Sequence, residues 1–194
     1  MPPRQLVRLL LATRALPARA ALFQARAMLR AQRLGDDWAL RSSTRPSDVA
    51  ELLRLAEGRL RAVELGTATG WTAGALLLAE PGRRLATYDP VVREHREAYL
   101  ALLPRAARER LELVPAPGHE ARGEGVDLLF VDSSHDRDAT MAELRAWQPR
   151  LAPGALVVLH DYGNPAYPGV AEAVAELGLS GREHAGLWLW EAPG

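Results

Sequence analysis

Apolar positions recur along this chain at two different spacings. Between residues 4 and 34 they fall three or four apart: Leu6, Leu9 and Leu10, then Leu22, Ala25 and Leu29. That period puts them on one face of a helix. Pro17 predicts a break in it, because proline lacks the amide hydrogen and its ring clashes with the turn before. Gly35-Asp36-Asp37 ends the stretch, and 41–47 reads as a loop. A further helix starts at Pro46 or Ser47, with proline suited to the first position and serine to the cap. Val49, Leu52, Leu53 and Ala56 form its apolar face, and Gly58 stops it.

After Gly58 short apolar runs alternate with helical periods. The runs at 60–65, 85–88, 111–114, 126–131 and 155–160 predict strands, the fourth and fifth too apolar to be half exposed. Helices are predicted over 71–80, 92–103, 138–150 and 168–177, with Ala152-Pro153-Gly154 as a turn before the fifth strand. The tail, 182–191, reads as two short strands around Gly186. Strand–helix alternation implies right-handed βαβ units and a mostly parallel, doubly wound α/β sheet.

Length and charge refine this outline. The 194 residues suit one domain plus a cap, divided as a helical cap or lid over 1–47 and a main domain over 48–194. No cysteine is present, which excludes disulfides and thiolate metal sites and fits a cytoplasmic protein. No apolar run is long enough to span a bilayer. Net charge is zero, yet residues 1–45 hold nine Arg against Asp36 and Asp37, about +7, and the remainder about −7. Only Phe23 and Trp38 fall among these arginines, too few for a stacking surface, so nucleic acid is disfavoured as a partner, and a substrate lid or a homodimer contact is expected.

In open α/β sheets ligands bind beyond the carboxyl ends of the strands. The first strand exits through Glu64-Leu65-Gly66-Thr67-Ala68-Thr69-Gly70-Trp71. Small residues there admit a ligand close to the backbone, and the following helix offers free N–H groups. Asp89 ends the second strand, 23 residues after Gly66, where a carboxylate can accept from both hydroxyls of a ribose. These features suit an adenosine cofactor. Glu64 would repel a pyrophosphate but can hold an ammonium, and the G-x-A-x-G spacing lacks the dinucleotide fingerprint. Both favour S-adenosylmethionine (SAM) over NAD.

The run from Glu64 to Gly70 resembles the first motif of class I SAM-dependent methyltransferases, with Ala68 in place of the middle glycine. Asp89 matches their ribose-binding acid. Val126–His135 and Leu151–Tyr162 resemble their fourth- and fifth-strand motifs, and the likeness covers about residues 48–192. It is closest to small bacterial O-methyltransferases whose fourth strand ends in D-x-x-H and fifth in H-D. The resemblance implies a seven-stranded sheet of order 3-2-1-4-5-7-6 with the last strand antiparallel. It also implies cofactor contacts from Glu64, Gly66, Thr67, Ala68, Gly70, Trp71, Asp89 and Asp132.

Asp132 and Asp161 end two apolar strands expected to be neighbours about 5 Å apart. Carboxylates that close repel unless a cation or a shared proton intervenes. A divalent metal, Mg²⁺ or another, held by Asp132, Asp161 and His160 is one outcome; turn capping or a cofactor contact is the other. Imidazole at His160 would favour Mn²⁺, Fe²⁺ or Zn²⁺ over Mg²⁺. His135 is a candidate general base, imidazole being the side chain whose reference pKa, about 6.5, lies near neutral. Trp71 either packs near the cofactor or belongs to the core, where Trp147, Trp188 and Trp190 are also expected. The activity so implied is methyl transfer from SAM to a hydroxyl of a small molecule. Its rivals are a metal-independent methyltransferase and a SAM-binding regulatory module that docks a partner through its basic arm.

Overall fold

The computed structural model describes residues 3–194, with side chains in the first helix described from Val7 onward; Leu6, one of the periodic leucines, therefore lies outside the described side chains. The chain divides into two compact units: the described part of Met1–Gly58 with Ala68–Arg83 and Val92–Leu111, and Arg59–Thr67 with Arg84–Val91 and Glu112–Gly194.

The first unit is helical. Helix α1 (Pro3–Ala12) leads through a 3-10 turn (Thr13–Ala15) to α2 (Ala18–Leu34), so the break falls at Pro17 as expected. Gly35 closes α2 in the left-handed conformation, φ 69°. The chain then makes a helix that the loop reading missed, α3 (Asp37–Ser42), because the Asp36 carboxylate caps it by accepting from the Ala39 N–H at 2.9 Å. Helix α4 (Pro46–Leu55) starts with proline at its first position, but the residue before it is Arg45 and no side chain caps it; Ser47 instead donates to Asp48. Helix α5 (Trp71–Ala79) is apolar all round and packs on α2, where Gly74 admits the Phe23 ring; a Cβ there would lie 2.4 Å from that ring. The last turn of α5 holds no basic residue, and its carbonyls are met from outside: Arg83 reaches Leu76 O at 2.7 Å and Arg110 reaches Leu77 O at 3.1 Å. The single helix expected over 92–103 is the short α6 (Arg96–Leu100), followed by α7 (Arg105–Arg108), which begins after Pro104 rather than ending there.

The second unit holds the sheet: β1 (Arg61–Leu65), β2 (Arg84–Tyr88), β3 (Leu111–Val114), β4 (Val126–Val131), β5 (Leu151–Leu159), β6 (Arg182–His184) and β7 (Leu187–Glu191). Their order is β3-β2-β1-β4-β5-β7-β6, with β1 parallel to β2 and β4, β4 parallel to β5, and β7 antiparallel to β5. The two tail strands meet through Ala185 and Gly186, both at positive φ, the signature of a tight hairpin. The expected turn at Ala152-Pro153-Gly154 is instead an irregularity within β5, where the register against β4 jumps from Val126↔Leu151 to Leu128↔Leu156. Helices α8 (Arg137–Trp147) and α9 (Pro168–Glu176) pack together in this unit. Leu144, Trp147, Val170 and Val174 from these helices join Leu129, Val157 and Trp188 from the strands in one core. Trp147 is anchored by Tyr88 edge-on at 5.5 Å and by its indole N–H donating to Gly118 O at 2.7 Å. Among the described residues no helix is long and apolar enough to cross a membrane.

Candidate functional site

The exits of β4 and β5 bring four titratable side chains together in the second unit. The last registered pair is Val131↔Leu159, so the residues directly opposite one another are Asp132 and His160, not Asp132 and Asp161 as the sequence suggested. Asp161 and His135 complete the group by adopting left-handed backbone, φ 57° and 59°. Asp and His tolerate that region better than most residues, and such conformations persist where surroundings over-determine them.

The four donor atoms form a closed ring. His135 Nε2 lies 3.2 Å from both Asp132 Oδ1 and Asp161 Oδ2; His160 Nδ1 lies 3.1 Å from Asp132 Oδ1 and 3.2 Å from Asp161 Oδ2. Carboxylate and imidazole thus alternate, and all four atoms fall within 4.8 Å of one another. Burial alone would raise the Asp132 carboxyl, but hydrogen bonds and charge from His135 and His160 outweigh it and hold it well below the usual carboxylate range. The side chains are 13–21% exposed, so the ring is sheltered yet reachable from solvent.

A divalent cation fits this donor set. Neighbouring donors 3.1–3.2 Å apart match an octahedral edge, which is about 1.4 times a metal–ligand bond of about 2.2 Å. Two imidazoles with two carboxylates suit Mn²⁺, Fe²⁺, Co²⁺ or Zn²⁺ better than Mg²⁺. The surrounding shell orients the donors: Asn164 donates to Asp161 Oδ1 at 2.7 Å, and Tyr167 stacks on His135 at 4.5 Å. Asn164 is a partner that the sequence reading missed. Tyr162, next to Asp161 in the sequence, stacks on Trp188 instead, and the amide at Asp161 comes from Asn164, three residues beyond it. Gly169 lets α9 approach the 135–137 loop, since a Cβ there would lie 2.7 Å from His135 O.

At the β1 exit the same unit holds Glu64, Gly66 and Thr67. Glu64 is 1% exposed and accepts from Thr87 Oγ1 at 2.5 Å; that hydroxyl also lies 2.8 Å from Thr67 Oγ1. Gly66 has φ 101°, and a Cβ on it would fall 2.0 Å from Asp132 O. Asp89 is partly buried, and its Oδ1 accepts from the Val91 N–H at 2.8 Å, which pins the turn after β2.

The motif continues along the chain into the first unit. Ala68 sits at φ 46°, a left-handed conformation that costs an alanine about 1–2 kcal/mol. Its carbonyl accepts from Nε of Arg96 at 2.8 Å, and Arg96 is 5% exposed on α6; no sequence signal had pointed to it. Gly70 opens α5 at φ 78° and faces Leu100, which a Cβ would meet at 2.8 Å. Trp71 is 3% exposed and edge-on to Tyr99 at 5.3 Å, and Tyr99 donates to Asp36 at 2.6 Å. These contacts belong to a packed interior.

Glu143, on the inner face of α8, is a second acid the sequence did not flag. It is 4% exposed, accepts from Ser133 Oγ at 2.7 Å, and abuts Gly118. Burial raises its pKa to about 7, against the smaller opposing effects of the Ser133 hydrogen bond and the His135 charge. The folded state therefore holds this proton more tightly than the unfolded chain. Stability falls as pH rises from about 4.5 to about 7 and stays lower above, by about 3 kcal/mol at most. Glu143→Gln keeps an acceptor for Ser133 and cannot ionise. In thermal melts it should match the parent near pH 5 and exceed it near pH 8; a constant gap across that range would contradict a raised pKa.

Residues 63–162 match the family model described as a methyltransferase domain, just over half of the chain. Among solved structures, the chain is similar to a TDP-rhamnose 3'-O-methyltransferase of calicheamicin biosynthesis. The two share 18% identity, TM-score 0.61, over 98% of this chain and 95% of that one. It is also similar to the O-methyltransferase TomG from Streptomyces achromogenes, involved in tomaymycin synthesis and in complex with SAM, at 21% identity and TM-score 0.61 over 78% and 82% of the two chains. A cofactor-bound structure from MTB aligns at 20% identity and TM-score 0.64 over 92% of this chain and 99% of that one. No curated protein matches the chain.

Proposed function

The chain belongs to the methyltransferase-domain family, and from that premise we propose that it moves the SAM methyl group to a hydroxyl of a small molecule beside a divalent cation. The observation that carries this reading is the Asp132–His135–Asp161–His160 ring. Asp132, His160 and Asp161 would hold the cation, whose charge, when bound, lowers the pKa of an acceptor hydroxyl. With both carboxylates engaged by the cation instead of accepting from His135, its Nε2 would be free to take the hydroxyl proton. Tyr167 stacked on its ring and the carboxylates 3.2 Å away keep that nitrogen aimed into the ring. Methyl transfer then needs little beyond alignment of donor and acceptor with water excluded.

SAM would be held by Glu64, Gly66, Thr67 and Asp89, and by Ala68, Gly70 and Trp71 further along the same motif, with Asp132 as a further contact. Glu64 and the two threonines offer acceptors for the ammonium of the donor, and Asp89 for its ribose. The 1–47 segment as an acceptor lid is part of the same reading. Because Phe23 packs against Gly74, point substitutions test it better than deletion.

A second reading of His135 rests on the symmetry of the ring: its distances to the carboxylates equal those of His160 to within 0.1 Å. As a fourth ligand, His135 would affect metal affinity; as a base, it would affect rate alone. His135→Ala with unchanged Mn²⁺ affinity but a rate lower by about 10²–10⁴-fold assigns the base.

Calorimetry tests the donor site. SAM and S-adenosylhomocysteine should bind and NAD should not. Asp89→Ala should weaken SAM by about 1–3 kcal/mol. An unaltered affinity in that variant would remove Asp89 from the site and leave it as the cap of the Val91 turn.

A further inference from the structure

Residues 1–35 hold seven Arg and no acidic residue. On α2, Phe23, Ala27, Met28 and Ala31 turn inward, while Arg26, Arg30 and Arg33 share another stripe with Leu29. Three guanidinium groups at i, i+4 and i+7 repel one another, and α2 contains no acid to relieve them. They line a shallow cavity of about 270 Å³ in the first unit, half open to solvent, together with Leu29 and Leu102. Arg30 is fixed across its wall by a bond from Nη1 to Ala98 O at 3.0 Å. Arg26 and Arg33 are exposed and have no carboxylate partner among the described residues. None of these residues belongs to the Asp–His ring or to the first motif.

We infer that this cavity is a binding site for a phosphate-bearing ligand, whose phosphate or diphosphate group Arg26, Arg30 and Arg33 would hold while Leu29 and Leu102 cover its organic part. Guanidinium forks match phosphate oxygens in pairs, and neutralising three crowded cations repays their repulsion. The volume suits a diphosphate-sized group rather than a whole dinucleotide. SAM carries no phosphate, so the site serves a ligand other than the methyl donor, and it stands independently of the methyl-transfer reading.

The test uses the full chain. Inorganic pyrophosphate is titrated by calorimetry at about 0.05 M and 0.5 M salt, since ion pairing at an exposed site weakens as screening rises. Phosphatidylcholine vesicles with and without phosphatidic acid are offered in parallel. Pyrophosphate should bind, more weakly at high salt. The double variant Arg26→Gln/Arg33→Gln, altered only at exposed positions, should bind it about tenfold more weakly or worse, with SAM affinity unchanged and a melting temperature no lower than the parent's, since repulsion along α2 is relieved. Binding only to phosphatidic acid vesicles, lost in the variant, would assign the phosphate to a lipid headgroup. Binding to neither probe, or equal binding by parent and variant, would overturn the site.

Discussion

Asp132→Asn is expected to lower divalent-cation affinity by about 100-fold or more and to take turnover down with it. Loss of a mere supporting contact to a metal ligand costs about 10–100-fold, and this substitution removes a charged donor outright. It also uncouples the ring, because Asp132 Oδ1 is the atom that both His135 Nε2 and His160 Nδ1 approach, at 3.2 and 3.1 Å. The variant should stay folded, since Asn fills the same space and the backbone bond from Asp132 N to Leu65 O at 2.8 Å is unaffected. Mn²⁺ titration of parent and variant, each first freed of metal, measures the effect. Equal affinities would mean that the carboxylate caps its turn or contacts the donor instead.

Gly66→Ala should be the most destabilising single-methyl change at the β1 exit. The added Cβ would fall 2.0 Å from Asp132 O and 2.7 Å from Asp132 C, and the backbone stands at φ 101°. Neither clash involves a side chain that could swing away. The β1 and β4 exits, joined by the bond from Asp132 N to Leu65 O, would have to separate. A cost of about 3 kcal/mol or more follows, which for a chain of this length lowers the melting temperature by about 6–12 °C and weakens SAM binding as well. Ala68→Gly is the control at the same turn. Relief of the strain at φ 46° and the added entropy of the unfolded chain are each about 1 kcal/mol and offset one another. A Gly66→Ala protein that melts with its parent would contradict the crowding at this crossing.

Much of this architecture was legible because its signals are local. The buried strands announce themselves as unbroken apolar runs, and β3 and β4 begin and end where the runs do. Pro17, Gly35 and Gly186 act through backbone conformation that the residue itself dictates. The misses share a different cause. Helix α3 depends on the Asp36 side chain turning back to its own backbone, and the sequence allowed a loop equally well. The bulge in β5 depends on pairing with β4, which no local pattern reveals.

The candidate site divides in the same way. Asp132, His135, His160 and Asp161 were visible as polar residues at the ends of apolar strands, but their arrangement was not. Register put His160, rather than Asp161, opposite Asp132, and left-handed backbone at 135 and 161 closed the ring. Arg96, Asn164 and Glu143 were illegible because each matters through one distant partner: Ala68 O, Asp161 Oδ1 and Ser133 Oγ. A buried arginine or glutamate on a short helix looks like any surface charge until the fold brings its partner to it.

The most direct measurement of the central claim follows labelled methyl from SAM into a panel of hydroxylated small molecules, with the protein first stripped of metal by a chelator and then restored with Mn²⁺. SAM binding is recorded in both states. An O-methylated product is expected only in the restored protein, while SAM binds with nearly the same affinity in both, because its main contacts, Glu64, Thr67 and Asp89, lie outside the ring and Asp132 is only a further one. Undiminished O-methylation in excess chelator would contradict it.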